Sequence, residues 1–553
     1  MSRGATPRPP FWLVAPATLV AGATVLPLAY LVVRTLEAGP QAWHLLLRPR
    51  TATVVANSLL LAAAVTAAAV AIGVPLAWLT TRSDLPFRRI WTVLTMMPLV
   101  IPSYVGSFAI VSAFGPRGIL QRWLQPLLGV ERLPEIYGFF GAWLTLTLFT
   151  YPYVLLSARG MLLRMDPDLE AAARSLGWGP VATFFRVTLP LLRPAILAGG
   201  LLVAMYTLSD FGAVTMLQYE TFTRAIYVQY QASLDRALAA SLSLVLVAIT
   251  TLLLAGESYL RGQARYARVG TGVGRPVTIV RLGRWRWAAL AFCSLIVCLA
   301  LVVPVAVVVH WLIRGLAAGE PLQFVWRPLV NSVTVSAAAA GVSVAAALPI
   351  AILSVRYQGR FARLLERAVY LGHALPGIVV ALSLVFFGIR YATPLYQTTA
   401  LLVLAYVVLF LPQAVGAVQA SLRQVNPHLE EAARTLGRRP LEVIREVTGP
   451  LVLPGLFAGF ALVFLTAMKE LPATLLLSPI GFKTLATQVW SATAEAFFAR
   501  AAAPMLVLIL ASGLSLALVL EREPTPVRTG RSAAKWRRPE GTEPELTRPG
   551  ATG

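Results

Sequence analysis

Charged residues, cysteine and histidine are all scarce in this chain of 553 residues. Only 13% of the side chains are charged and 57% are hydrophobic, which excludes an ordinary soluble globular protein. The 2 cysteines, Cys293 and Cys298, lie inside an apolar stretch and indicate no disulfide framework. The 4 histidines are scattered without the spacing of metal ligands, so we predict neither a metal site nor a cofactor.

The chain also lacks the sequence features of an enzyme. It contains no Gly-Lys dipeptide, so the phosphate-binding GxxxxGK[ST] loop is absent. No nucleophile with a nearby base and no paired carboxylates are recognisable, which disfavours a membrane-embedded enzyme. The sequence therefore predicts no catalytic residues, and any ATP hydrolysis that drives the protein must take place on a separate subunit.

The net charge of +23 does not form a basic domain. The basic residues occur as short clusters between apolar segments, so a nucleic-acid partner is not predicted. Basic residues concentrate in the cytoplasmic loops of membrane proteins. This rule favours a topology in which both termini are cytoplasmic. Residues 11–33 run on through Arg34 without a small-residue cleavage site, so we expect an uncleaved first span rather than a signal peptide. Membrane lipid is an expected partner of such a chain.

Apolar segments long enough to cross a bilayer predict an all-α polytopic membrane protein, because a helix of roughly 20 apolar residues spans the hydrocarbon core. We count twelve such spans, near residues 11–33, 54–80, 90–114, 137–158, 191–217, 238–260, 287–313, 330–355, 368–389, 397–421, 451–477 and 501–520.

The spans form two repeats. Residues 55–82 match residues 329–356, and Asn57, Pro75 and Arg82 each recur 274 positions later. Six spans separate the copies, an even number, so the two six-helix repeats are parallel in the membrane. The second repeat lacks a counterpart to part of the outer loop 116–138, which is interpreted either as an external docking ledge or as an amphipathic re-entrant segment.

These patterns divide the chain into four parts. Residues 1–260 are the first half with six spans, 261–286 a cytoplasmic linker rich in Gly and Arg, and 287–520 the second half with six spans. Residues 521–553 are charged and rich in proline, which predicts a disordered cytoplasmic tail.

One loop occurs in both halves, at residues 166–194 and 426–454. In the first copy Asp166 is a helix N-cap followed by proline, and Gly177 suits a left-handed helix end. We expect Glu170 to lie on a wetter face than the neighbouring apolar stripe, and Pro190 to end a second short helix. The loop then consists of a short helix, a sharp turn and another short helix.

The two loops resemble the EAA loop of binding-protein-dependent ABC importer permeases of type I. In that family the loop is a coupling helix that docks on an ATP-hydrolysing subunit. The resemblance implies two ATP-binding subunits and an extracytoplasmic substrate-binding protein as partners, in the bacterial inner membrane. The residues expected to contact the ATPase are Glu170, Ala172, Gly177, Glu430, Ala432 and Gly437. The second copy departs from the pattern at Gly449, which stands where the family has leucine.

Residues 209–227 and 469–490 resemble ferric iron permeases of this superfamily. Iron is therefore the expected cargo, with thiamine, polyamine or sulfate as alternatives because their permeases share much of this layout. Tyr206, Asp210 and Glu470 are expected to line the translocation path, since acids within a membrane tend to face a cavity. Two other interpretations stay open: a helix-capping role for Glu470, and a secondary cation transporter that uses Asp210 and Glu470.

Overall fold

The computed structural model describes residues 9–232, 237–262, 279–320, 325–357 and 359–521. Within these ranges the chain is helical and forms no β-strand, apart from one isolated bridge between Ser83 and Val280. An all-α membrane protein is therefore confirmed over the described part of the chain.

The first half contains thirteen α-helices, which are α1 (Phe11–Glu37), α2 (Pro40–Leu46), α3 (Pro49–Arg82), α4 (Arg88–Met96), α5 (Ser103–Phe114), α6 (Ile119–Leu128), α7 (Phe139–Arg164), α8 (Pro167–Ser175), α9 (Pro180–Thr183), α10 (Leu189–Ser209), α11 (Gly212–Met216), α12 (Phe222–Ala232) and α13 (Ala237–Gly262).

The second half contains twelve, which are α14 (Arg286–Val297), α15 (Val303–Ala317), α16 (Trp326–Ile352), α17 (Arg360–His373), α18 (Gly377–Tyr391), α19 (Thr399–Leu422), α20 (Pro427–Thr435), α21 (Pro440–Val443), α22 (Gly449–Met468), α23 (Pro472–Leu477), α24 (Leu485–Ala494) and α25 (Phe498–Glu521).

The predicted twelve spans all have a helical counterpart. Among the described residues, 9 helices are long and apolar enough to cross a membrane, and 2 further pairs qualify as bent spans. The shorter apolar stretch Phe498–Leu514, part of α25, accounts for the twelfth. The bent pairs are α4 with α5 and α17 with α18, and they turn through 100° and 102°. Pro102 and Pro376 immediately precede the second member of each pair, where proline suits a helix start.

The first helices of the two halves are exchanged. Leu13, Ala17 and Ala21 of α1 are buried in an apolar cluster whose other members belong to the second half. Reciprocally, α14 and α15 pack beside helices of the first half, and the Trp311 indole N–H donates to the Ser112 hydroxyl at 2.7 Å. The halves therefore share their cores.

The end of the predicted linker is attached to the first half. The Val280 N–H donates to the Arg82 carbonyl at 2.8 Å, and the Asp84 carboxylate accepts from the Leu282 N–H at 2.8 Å. Residues 263–278 of the linker and 522–553 of the predicted tail lie outside the described residues.

The expectation that Pro190 ends a helix is wrong. A π-helical turn, Phe184–Thr188, joins α9 to α10 without a break, so that Pro180–Ser209 is one span. The Leu189 N–H bonds the Phe184 carbonyl, one residue further back than in an α-helix. This wider turn accommodates a proline that has no N–H of its own. A second π-helical turn, Ile444–Thr448, precedes Pro450 in the same way.

Candidate functional site: two repeated loops and the cavity between the halves

The repeated loops have the local geometry that their sequences predict. Asp166 caps α8 by accepting from the Asp168 N–H at 3.0 Å, and Asn426 caps α20 by accepting from the His428 N–H at 3.1 Å. Gly177 and Gly437 have φ angles of +86° and +83°, a conformation that favours glycine. Each short helix therefore ends in a sharp left-handed turn.

Glu170 lies inside the protein, which contradicts the expectation of a wetter face. It is 4% exposed, and its carboxylate accepts from the Thr188 hydroxyl at 2.9 Å. The Arg82 guanidinium, at the end of α3, is 3.7 Å away and is also buried. Arg82 in turn donates to the Leu162 carbonyl at 2.9 Å, at the end of α7. A buried carboxylate is stable only with such partners, and these determine which side of α8 faces the protein.

The second loop repeats this arrangement. The Arg356 guanidinium donates to the Glu430 carboxylate at 2.7 Å, and the Thr448 hydroxyl donates to the same oxygen at 3.0 Å. The second ion pair is less deeply buried, with side-chain exposures of 17% for Arg356 and 14% for Glu430. We call each set of three residues an anchor: Arg82, Glu170 and Thr188 in the first half, and Arg356, Glu430 and Thr448 in the second.

Sequence reasoning missed the anchors, although a signal was available. The arginines recur 274 positions apart, and the glutamates and threonines recur 260 positions apart. The arginine that recurs at the end of a span in both halves is the ion-pair partner of the loop glutamate. A constant spacing would not reveal this pair, because its two residues lie 88 positions apart in one half and 74 in the other.

The opposite side of each short helix is exposed and largely apolar. Ala172 and Ala432 are exposed, as are both turn glycines. Leu176 is 76% exposed and Leu436 is 84% exposed. Leu169 and Leu429 are about half exposed and precede these leucines by two helical turns. Each loop thus presents two leucines, an alanine and a glycine on its outer side.

A cavity of about 480 Å³ lies between the halves and is lined by residues of both. Tyr206, Asp210 and Glu470 all line it. Because the 21-residue helix α10 rises about 31 Å, Asp210 lies at the far end of this helix from the loop that precedes it. The loops and the cavity are therefore separate sites.

Both acids in the cavity cap a short helix that follows a break. Asp210 accepts from the Ala213 N–H at 2.8 Å at the start of α11, and Glu470 accepts from the Ala473 N–H at 3.0 Å at the start of α23. The adjacent Lys469 ammonium donates to the Leu99 carbonyl of the first half at 3.0 Å. The Tyr206 ring packs against Tyr153 with 5.9 Å between the ring centroids.

Neither site contains a recognisable metal centre. In the described ranges, no three His, Cys, Asp or Glu residues come close enough together to hold a metal ion. The cavity instead offers isolated carboxylate, phenol and ammonium groups.

Two parallel repeats around a shared cavity, each carrying an anchored loop at one side of the membrane, define a membrane permease made of two fused halves. The chain belongs to the family of binding-protein-dependent transport system inner membrane components, whose model matches twice, at residues 69–261 and 337–522. It is therefore a multi-pass inner-membrane permease component of an ABC importer.

Some similar proteins match most of the chain, and others match less than half of it. The Fe(3+)-transport system permease protein FbpB 2 of Haemophilus influenzae is 38% identical over 517 residues, 93% of this chain and 98% of that protein. The ferric transport system permease protein FbpB of Actinobacillus pleuropneumoniae is 26% identical over 77% of this chain and 64% of its own length. The molybdenum transport system permease protein ModB of Mycobacterium bovis is 32% identical, but over only 44% of this chain.

Proposed function

We propose that this chain is the transmembrane subunit of an ATP-driven importer that carries ferric iron into the bacterial cell. The observation that carries the proposal is the 38% identity to an Fe(3+)-transport permease over 93% of the chain, because that similarity includes both halves. The molybdenum permease, in contrast, matches only 44% of this chain. Thiamine, polyamine and sulfate stay as alternative cargoes.

Two ATP-binding subunits would dock on the two loops, one on each. The exposed Leu176 and Leu436 support this proposal, since a large apolar side chain at a loop tip becomes favourable when a partner covers it. Ala172, Ala432, Gly177 and Gly437 would allow close approach of the partner. Glu170 and Glu430 face the permease itself, so they would position the short helix rather than contact the ATPase subunit.

The anchors would transmit movement from the docked subunits. Each anchor ties its short helix to the ends of long helices in the same half, so the loop cannot tilt alone. Closure of two ATPase subunits would then move the two loops, each together with the long helices that its anchor holds, as rigid bodies and open the cavity to alternate sides. Both loops and both termini would be cytoplasmic, and the binding protein would deliver the cargo from outside.

The test is uptake into proteoliposomes that contain the chain, its ATPase subunits and its binding protein. Labelled ferric iron, molybdate, sulfate, thiamine and a polyamine are supplied in turn. We expect ATP-dependent uptake of ferric iron alone. ATP-dependent uptake of a different compound would correct the cargo, and iron uptake without the ATPase would support a secondary cation transporter.

A further inference from the structure

The two acids in the cavity are not equivalent. Both carboxylate oxygens of Asp210 are occupied, since one accepts from the Ala213 N–H and the other from the Ser103 hydroxyl. Glu470 uses one oxygen, Oε1, to cap α23, and its Oε2 has no partner in the described part of the chain. The second half therefore places a carboxylate oxygen without a protein partner in the cavity.

A paired difference between the repeats explains this inequality. Gly377 occupies the position that corresponds to Ser103, 274 residues later, so the second half lacks the hydroxyl that saturates Asp210. A Cβ atom at Gly377 would lie 2.6 Å from the Glu470 Oε1 atom. A side chain at residue 377 would therefore force the Glu470 carboxylate out of its observed position. One half combines aspartate with serine, and the other combines glutamate with glycine.

A second polar group in the cavity is unsatisfied. The Tyr104 hydroxyl has no hydrogen-bond partner among the described residues, although the side chain is 3% exposed. Tyr104 lines the same cavity as Glu470. A buried hydroxyl without a partner is costly. An occupant that supplies the missing contact would remove that cost.

We propose that Glu470, and not Asp210, is the carboxylate that contacts the cargo in the cavity, binding a hard metal cation through its free oxygen in the cavity that Tyr104 also lines. This inference rests on the proposed function. Hard cations prefer oxygen ligands, and carboxylate oxygens above all. One carboxylate and one phenol form a weak site, which suits a cargo that must leave as readily as it enters. Asp210 is a structural helix cap.

The experiment measures labelled ferric iron uptake by the reconstituted full complex. Glu470→Gln removes the charge, and the pair Glu470→Asp with Gly377→Ser gives the second half the saturated arrangement of the first. Asp210→Asn is the matched control, because its amide oxygen still caps α11. We expect Glu470→Gln and the paired variant to lower the uptake rate by about tenfold or more, the equivalent of about 1.4 kcal/mol. Asp210→Asn is expected to keep uptake within about twofold.

Binding-protein-stimulated ATP hydrolysis is recorded in parallel and is expected to survive in all three variants, because the loops are unchanged. Wild-type uptake by the paired variant, or an equal loss in Asp210→Asn, contradicts this inference alone. A wild-type complex that takes up no iron contradicts the proposed function as well. If Glu470→Gln does not fold, the paired variant still tests the inference, because it introduces the aspartate and serine that the first half already accommodates.

Discussion

The buried Arg82–Glu170 pair makes the first anchor sensitive to the loss of either residue. Glu170→Ala leaves the Arg82 guanidinium, whose side chain is 1% exposed, without its carboxylate. Breaking a buried ion pair costs about 3–5 kcal/mol. We expect the variant to lower the free energy of unfolding by that amount, measured by denaturant titration of the purified protein in detergent.

Arg174→Ala is the control for this substitution. Arg174 lies 3.8 Å from the same carboxylate, but its side chain is 33% exposed. Because a third of the Arg174 side chain is exposed, solvent screens this pair, which then contributes about 1 kcal/mol, so the control is expected to lose much less stability than Glu170→Ala. Equal losses in the two variants would mean that Arg82 does not depend on Glu170.

Single residues could be predicted from the sequence where the chemistry is local. The caps at Asp166 and Asn426 and the left-handed glycines follow from residues a few positions apart. The burial of Glu170 could not be predicted in this way. It depends on Arg82 and Thr188, which reach the carboxylate only after three separate helices have packed together.

The turn that ends each short helix is the element on which the loop geometry depends. Gly177 has a φ of +86°, and a Cβ atom there would meet nothing within 4 Å. Gly177→Ala therefore tests backbone strain alone, at about 1–2 kcal/mol. We expect a loss of that size in the free energy of unfolding. Gly179→Ala is the control.

Gly179 has a φ of −66° and equally open surroundings. An alanine there should cost under about 1 kcal/mol, because the backbone is already in a region open to all residues. A loss at Gly179 as large as that at Gly177 would assign the effect to the helix cap rather than to the left-handed turn.

The outer side of the short helices carries a separate prediction about docking. Leu176→Ser and Leu436→Ser remove exposed apolar side chains, so they should leave the stability of the isolated chain unchanged. Burial of one leucine side chain under a partner contributes about 1.5–3 kcal/mol. We expect each variant to bind the ATPase subunits at least about tenfold more weakly, measured by titration in detergent. Unaltered affinity in both variants would exclude these leucines from the interface.

Elements were predictable where hydrophobicity decides them. Each predicted span coincides with a helix or a bent helix pair in the described residues, because a long apolar run has few alternatives to a membrane helix. The continuation of the helix through Pro190 was not predicted, since proline usually ends a helix and the π-helical turn before it leaves no mark in the sequence pattern. The sharp bends at Pro102 and Pro376 are visible only in three dimensions.

At the scale of the whole molecule, the exchanged first helices predict that neither half is stable alone. The Thr24 hydroxyl of α1 bonds the Ala368 carbonyl of the second half at 3.4 Å, and Tyr30 packs edge-on against Phe387. If the chain is cut within residues 263–278, the two coexpressed fragments should copurify at equal ratio. Expressed singly, each fragment should be degraded. A monodisperse single fragment would contradict the shared core.

The measurement that tests the account most directly is the ratio of iron taken up to ATP hydrolysed by the reconstituted complex. It is made with the wild type and with Gly177→Trp and Gly437→Trp, separately and together. Our account predicts that the wild type couples the two processes and that either bulky substitution stops uptake while the chain still inserts, because both loops must dock. Undiminished uptake in the double variant would contradict the claim that ATP hydrolysis drives transport through these loops.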